Sequence, residues 1–365
     1  MKFLLITLEY FPFKGGVANY YTNLVYYWPK NSEISVLNNN NGDLLKKRGF
    51  LKWTKALFKL YFHVKKEKID YVIVGNILPL GLVTYIISKI IKIKYAVVLH
   101  GTDFSWSLKK KRKKFVSQLI LKRADKIITA NSCVAELCEK FIGDNKKILT
   151  VNPGIKDFSN FNINNQNLRE KNGLIGYKIM FSLGRLVKRK GFDYTIKAIK
   201  EILIKKPNMD FIYIIAGKGP DEDYLKKIAH EELGNNWEKY IKFIGEVSES
   251  EKWSLLSCCD IFIMPSRNIE GDFEGFGIVY LEANLCEKAV IAGRSGGVSD
   301  AVESGVNGLL VDPENVSEIS QAILNLLDKD FLRIKMGQVG RQRALEKFNW
   351  KKQIEKIYNF LNDLK

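Results

Sequence analysis

At 365 residues the chain exceeds what one ordinary hydrophobic core organises, which predicts two domains, and its 46% hydrophobic and 27% charged residues are those of a soluble globular protein. Five cysteines without paired spacing argue against a disulfide framework and fit a reducing compartment, and three histidines argue against a His-rich metal centre. The formal charge of +18 is uneven: residues 1–150 hold 27 Lys+Arg against 10 Asp+Glu, and residues 151–365 hold 31 against 30, so an anionic partner is expected for the first half.

Met1–Leu8 is a short apolar run that meets Glu9 and Pro12 without a small-residue cleavage site, and reads as a buried first strand. Gly15-Gly16 and a helical pattern over 17–28 follow, the layout of a loop that approaches a ligand, without the full Gly-x-Gly-x-x-Gly fingerprint. Residues 30–49 are polar and read as a loop. Over 50–66 apolar and basic residues interleave, as in an interfacial helix with Trp and Phe on one side and lysines on the other, or in a helix packed on a sheet with a solvated basic face. The apolar stretch 77–91, interrupted by Pro79, Gly81 and Lys89, is too short for a membrane span.

Strands are expected at 71–74 and 95–99, the second ending at His100, where α/β proteins place ligand-facing residues. Lys109–Lys114 is an unbroken basic run before a helical stripe of Phe115, Val116, Leu119, Ile120 and Leu121. Each such charge contributes on the order of 1 kcal/mol at an anionic bilayer. Nucleic acid would attract the same charges, but no recognised nucleic-acid-binding motif accompanies them. Strands at 126–130 and 148–151 complete the first half, and residues 156–176, rich in Asn, Gly and charge, mark a boundary.

The alternation then repeats. A strand at 178–183 opens into Gly184-Arg185-Leu186-Val187-Lys188-Arg189-Lys190-Gly191, where Arg185 offers a fork and Lys190 a point charge to a diphosphate. Asp221-Glu222-Asp223 has the Asp-x-Asp pattern of metal-dependent sugar transfer, but it follows Pro220 at a helix start, where acids favour the dipole. Ser248 and Glu251 have capping-box spacing. After the buried run 261–264, Glu274-Gly275-Phe276-Gly277-Ile278-Val279-Tyr280-Leu281-Glu282 places two carboxylates eight residues apart across a helix start, whose free amides suit phosphate. They need not face one another, so both read as binding groups rather than an acid–base pair. A strand at 289–292, the turn Ser295-Gly296-Gly297, a strand at 308–311 and helices from 317 with a break at Asn349 close the chain; the last helix is expected over 351–364, packed on the first domain.

These motifs together resemble the family 4 retaining glycosyltransferases of the GT-B fold: Gly-Gly, Gly-Arg-x4-Lys-Gly, Met-Pro-Ser, the Glu-x7-Glu stretch, Gly-Gly-Val-Ser-Asp and Gly-Leu-Leu-Val-Asp-Pro, in family order. Residues 273–283 look most like the phosphatidylinositol mannosyltransferase branch. The resemblance implies an α/β protein of two doubly wound parallel-sheet domains facing across a cleft. They comprise an acceptor-side, basic, membrane-associated domain over 1–160, a nucleotide-sugar domain over 161–348 and a returning helix over 349–365. It implies hexose transfer from a GDP- or UDP-sugar, without metal or other cofactor, to a lipid-linked or glycan acceptor in cell-surface glycan synthesis. The setting would be the cytoplasmic face of the cell membrane, with no nucleic-acid partner.

By the same resemblance Glu274 holds a donor-sugar hydroxyl and Glu282 the ribose hydroxyls. Amides from Phe276 to Ile278, beside Gly275 and Gly277, face the sugar and diphosphate. Arg185 and Lys190, beside Gly184, neutralise the leaving group; Gly15 and Gly16 admit the phosphates; His100 lies over the sugar. A nucleotide-sugar epimerase on the same fold needs further acidic and histidine groups, and a basic nucleic-acid-binding protein would not need the donor motif.

Overall fold

The computed structural model describes residues 1–13, 15–45, 53–156, 169–170 and 174–363. The chain divides into two compact units, Met1–Gly154 with Phe348–Lys365, and Ile155–Lys347. The sequence-expected boundary at 160/161, and most of the 156–176 segment, lie outside the described residues.

In the first unit the elements run β1 (Lys2–Thr7), α1 (Gly16–Tyr26), β2 (Glu33–Asn38), α2 (Thr54–Glu67), β3 (Tyr71–Val74), α3 (Leu82–Ile91), β4 (Lys94–Leu99), α4 (Thr102–Leu108), α5 (Lys111–Arg123), β5 (Lys126–Thr129), α6 (Ser132–Ile142) and β6 (Ile148–Thr150). The strands form one parallel sheet ordered β2-β1-β3-β4-β5-β6. Continuous apolar runs such as Phe3-Leu4-Leu5-Ile6 and Val72-Ile73-Val74 are buried on both faces, as helix-covered parallel strands require. The chain reverses its direction of travel across the sheet between β1 and β3, which creates a topological switch point flanked by the loops after those strands.

Two expectations for this unit change. Residues 33–38, read as loop, form the edge strand β2, in register with β1 from Lys2↔Glu33 to Thr7↔Asn38. An edge strand is only half-buried, so its sequence carries little of the apolar signal of a central strand. On α2 the inward face holds Ala56, Leu60 and Val64, whereas Phe58 and Phe62 are each 64% exposed and share the outer surface with Lys55, Lys65 and Lys66. The aromatics therefore lie among the lysines, not opposite them. On α5, likewise, Ile120 and Leu121 are buried while Phe115 and Leu119 face solvent beside the basic run. No helix among the described residues is long and apolar enough to cross a membrane.

The second unit contains β7 (Lys178–Leu183), α7 (Phe192–Lys205), β8 (Phe211–Ala216), α8 (Glu222–Leu233), β9 (Ile241–Gly245), α9 (Glu249–Cys258), β10 (Ile261–Met264), α10 (Ile278–Leu285), β11 (Ala289–Gly293), α11 (Val298–Ala301), β12 (Gly308–Val311), α12 (Val316–Asp328) and α13 (Asp330–Lys347). Its parallel sheet is ordered β12-β11-β10-β7-β8-β9, with the switch point between β7 and β10. The expected capping box opens α9: Ser248 Oγ accepts from the Glu251 amide, and Glu251 Oε2 accepts from the Ser248 amide at 2.7 Å. In the Asp-x-Asp segment, Asp221 Oδ2 accepts from the Lys188 amide at 2.7 Å and Glu222 pairs with Lys226 one turn on, so those acids serve loop and helix.

The last helix, α14 (Trp350–Asn362), starts one residue earlier than its sequence pattern suggests, with Asn349 accepting from the Lys352 amide. Leu364, expected within it, lies outside the described residues. Its face of Trp350, Ile354, Ile357 and Leu361 is buried in one core with Phe3, Leu5, Tyr20 and Tyr21 of the first unit.

Candidate active site

The second-unit site is assembled from loops at the carboxyl ends of β7, β10 and β11. After β7 the chain runs through Gly184 and Arg185 into a short 3-10 turn, Lys188–Lys190, which places the side chains of Arg189 and Lys190 together. After β10, Arg267 forms two hydrogen bonds to Asp193 at 3.0 and 2.9 Å, tying this loop to the start of α7. Both partners are buried, where a two-point guanidinium–carboxylate pair is geometrically selective.

That loop delivers Glu274. Its Oε2 accepts from Lys190 Nζ at 2.6 Å and Arg189 Nη1 at 2.7 Å, and Arg189 Nε also lies 3.3 Å from Asp272 Oδ1. Burial pushes the Glu274 carboxyl upward, but Lys190 and Arg189 outweigh it and hold the group below its ordinary value, ionised at neutral pH. From the β11 loop the Gly297 amide donates to the Glu274 carbonyl at 3.1 Å. Gly296 has φ +56°, and a Cβ there would lie 2.4 Å from that same carbonyl, so only glycine lets the two loops approach so closely.

Helix α10 follows directly. Gly277 is its N-cap at φ +77°, where a Cβ would collide with the Tyr280 ring; Tyr280 in turn donates from its hydroxyl to the Met264 carbonyl at 2.7 Å. Tyr280 thus ties the helix start to the end of β10, and the first-turn amides carry the partial positive charge of a helix N-terminus. Phe276 is buried at this junction. Glu282 lies farther along α10, where its Oε1 accepts from Lys252 Nζ of α9 at 2.8 Å. Burial raises the Glu282 carboxyl and Lys252 offsets part of that rise.

The two glutamates are therefore separate groups of similar construction: one carboxylate oxygen is held by cations, Arg189 and Lys190 on Glu274 and Lys252 on Glu282, and the other has no protein partner among the described residues. Arg185 and Lys190, expected to act together, differ. Lys190 is engaged by Glu274, whereas the Arg185 side chain is exposed and has no partner among the described residues. Gly184 lies under Lys190, its hypothetical Cβ 3.4 Å from Lys190 Cε.

In the first unit, Gly15 and Gly16 open α1 beside the β1/β3 switch point. A Cβ at Gly16 would meet nothing, so packing alone does not require glycine there. His100 follows β4, its ring edge-on to Tyr20 and Tyr21 at centroid distances of 5.0 and 5.2 Å. The Tyr21 hydroxyl donates to the Gly75 carbonyl at 2.7 Å, so His100 Nε2, 2.8 Å from that hydroxyl, is the donor between them. Burial lowers the His100 pKa to about 4, which keeps the ring neutral at physiological pH.

Sequence reasoning missed Arg189 and Lys252. Arg189 stood in the basic run, but only the 3-10 turn shows that it shares Glu274 with Lys190. Lys252 is 30 positions from Glu282, and no local pattern links them.

Residues 14–157 match the model of Glycosyltransferase Family 4, and residues 164–343 that of Glycosyl transferases group 1. Among curated proteins, the chain is 28% identical to an uncharacterized glycosyltransferase of Methanocaldococcus jannaschii, over 100% of the chain and 99% of that protein. It is 36% identical to the GDP-mannose-dependent monoacylated alpha-(1-6)-phosphatidylinositol monomannoside mannosyltransferase of Corynebacterium glutamicum, over 48% of the chain and 45% of that relative. The fold is similar to Anabaena HepE, solved in complex with UDP (TM-score 0.80, 20% identity, full coverage of both chains). It is also similar to WaaG, a glycosyltransferase of lipopolysaccharide biosynthesis (TM-score 0.69, 15% identity, 99% and 100% coverage). Two family models in tandem over two parallel α/β sheets, with the Glu274–Glu282 stretch at a sheet switch point, identify the chain as a family 4 glycosyltransferase of the GT-B fold.

Proposed function

We propose that the protein transfers a hexose, mannose or glucose, from a nucleoside-diphosphate sugar to a lipid-linked or glycan acceptor, with retention of anomeric configuration and without a metal ion. The observation that carries this reading is the matched pair of glutamates. Each is fixed through one oxygen, Glu274 by Arg189 and Lys190 and Glu282 by Lys252, and keeps the other oxygen for a hydroxyl, Glu274 next to the helix start and Glu282 on the second turn. A nucleotide sugar has the complementary groups: sugar hydroxyls for Glu274, a diphosphate for the α10 amides, Arg185 and Lys190, and ribose hydroxyls for Glu282.

Departure of the nucleoside diphosphate concentrates negative charge on its β-phosphate. Fixed cations and amides aimed there lower the barrier and supply the charge stabilisation that other transferases draw from a metal. Both glutamates act as binding groups and neither as a nucleophile. His100, neutral and donating to the Tyr21 hydroxyl, serves as a hydrogen-bonding group rather than a charged acid. The name of the Corynebacterium relative supports GDP-mannose as donor, and UDP in the Anabaena structure supports a UDP-sugar.

The acceptor is assigned to the first unit, and the cytoplasmic face of the membrane to the whole protein. That unit's positive excess and the outward Phe58, Phe62 and Phe115 among lysines support both. The test is to incubate purified protein and membrane lipids with GDP-mannose or UDP-glucose, with and without EDTA, and to determine the product's anomeric configuration by NMR. An inverted product rejects retention, and loss of transfer in EDTA rejects metal independence. Absence of binding to anionic vesicles at low salt rejects the membrane setting.

A further inference from the structure

Lys252 lies on α9 at a position that no motif of the sequence marks. Its ammonium is 2.8 Å from Glu282 Oε1, 2.7 Å from Glu249 Oε1 and 4.8 Å from the centre of the Trp253 ring. Glu249 is itself oriented by the Trp253 indole N–H, which donates to the same Oε1 at 2.9 Å. Trp253 is 1% exposed and the Lys252 side chain 13% exposed, so a lysine that would otherwise sample many rotamers is confined to one geometry. The helix carrying these residues starts at the Ser248–Glu251 capping box, which fixes its first turn.

We propose that Lys252 is the positioning residue for the nucleotide's ribose: clamped between Glu249 and Trp253, it holds Oε1 of Glu282 and leaves Oε2 to accept the 2′- and 3′-hydroxyls of a nucleoside diphosphate. This rests on the donor reading above.

The arrangement has a physical reason. A carboxylate accepts from two vicinal hydroxyls best when it is ionised and oriented before the ligand arrives. Glu282 is largely buried, and burial raises its pKa, as does the nearby charge of Glu249. Lys252 opposes both effects, and Glu249 and Glu282 together keep Lys252 protonated in spite of its own burial. Without the ammonium, Glu282 would carry less charge and two carboxylates would confront one another. Lys252 reaches Glu282 through Oε1 and so acts through that carboxylate, with no contact to the sugar required.

The experiment measures affinities of the full-length protein by calorimetry for GDP and UDP and for their 2′-deoxy counterparts, with inorganic pyrophosphate as a control for the phosphate side. The wild type should prefer the ribonucleotide of whichever base it binds by roughly tenfold, the worth of one hydrogen bond to a charged group. Lys252→Met should bring that preference close to one while leaving pyrophosphate affinity unchanged, and Lys252→Arg should restore most of it. Glu282→Gln should abolish the preference as Lys252→Met does.

Pyrophosphate binding and circular dichroism identify a variant that has failed to fold; if K252M fails, the milder Glu249→Gln takes its place and should weaken the 2′-hydroxyl preference. A wild-type preference that survives in folded K252M, or in E249Q where K252M does not fold, overturns the proposal. If the wild type binds neither GDP nor UDP, the donor reading itself fails, a result distinct from an undiminished preference in the variants.

Discussion

Glu274→Gln keeps the shape of the side chain and removes its charge, leaving Arg189 and Lys190 without their shared anion. These cations, 21% and 12% exposed, donate to Glu274 Oε2 at 2.7 and 2.6 Å. Hydrogen bonds to charged groups contribute about 1.5–3 kcal/mol, and removing one partner of a buried ion pair costs roughly 3–5 kcal/mol. The glutamine oxygen still accepts and the cations retain some solvent, so a loss of about 2 kcal/mol is expected. Because the folded carboxyl lies below its ordinary 4.5, this stability is present above that pH and is lost as pH falls through the folded value. The difference between wild type and variant should therefore be constant near neutrality and shrink in acid.

The same substitution frees two cations for another anion. Inorganic pyrophosphate should bind the variant about tenfold more tightly, roughly 1.4 kcal/mol, while sugar transfer falls. Chemical denaturation between pH 3.5 and 7 and titration calorimetry with pyrophosphate measure both effects. Unchanged stability together with unchanged or weaker pyrophosphate binding would refute the reasoning, because the Arg189–Lys190–Glu274 cluster would then not be the resting arrangement of the site.

Arg185→Ala removes an exposed side chain without a partner among the described residues, so stability should stay within about 0.5 kcal/mol while nucleoside-diphosphate affinity drops at least tenfold; intact affinity would remove Arg185 from the site. Gly296→Ala forces a Cβ toward the Glu274 carbonyl at positive φ and should lower transfer sharply, read as kcat/KM, with a stability loss of about 1–3 kcal/mol; wild-type kinetics would show that the two loops need not touch. His100, with its pKa lowered to about 4 from 6.5, is protonated first in the unfolded chain. Stability should therefore decline from pH 6.5 toward 4, by on the order of 3 kcal/mol, and His100→Gln should flatten that decline in denaturant titrations; parallel pH profiles would count against the buried neutral imidazole.

Much of the fold was legible because parallel strands buried on both faces are continuous apolar runs. Those at 71–74, 178–183 and 261–264 coincide with observed strands. The start of α9 was legible because Ser248 and Glu251 stand three residues apart, the spacing at which each side chain reaches the other's amide. The edge strand β2 was not, because half-exposed residues lack the apolar signal. The outward Phe58 and Phe62 were not either, because interleaved apolar and basic residues do not reveal which face a helix buries.

By itself the sequence determined the components of the candidate site: two glutamates, glycines that free the backbone at the helix start, and a glycine-bounded basic run. These are local requirements, and local spacing records them. Only the tertiary structure decided which charges meet. The strand order β12-β11-β10-β7-β8-β9 makes β7 and β10 neighbours although about 80 residues separate them, and so brings Arg189 and Lys190 onto Glu274. The packing of α9 near α10 likewise gives Glu282 its lysine. Coulomb energy depends on distance in space, and the order of strands in a sheet is what turns separation along the chain into contact.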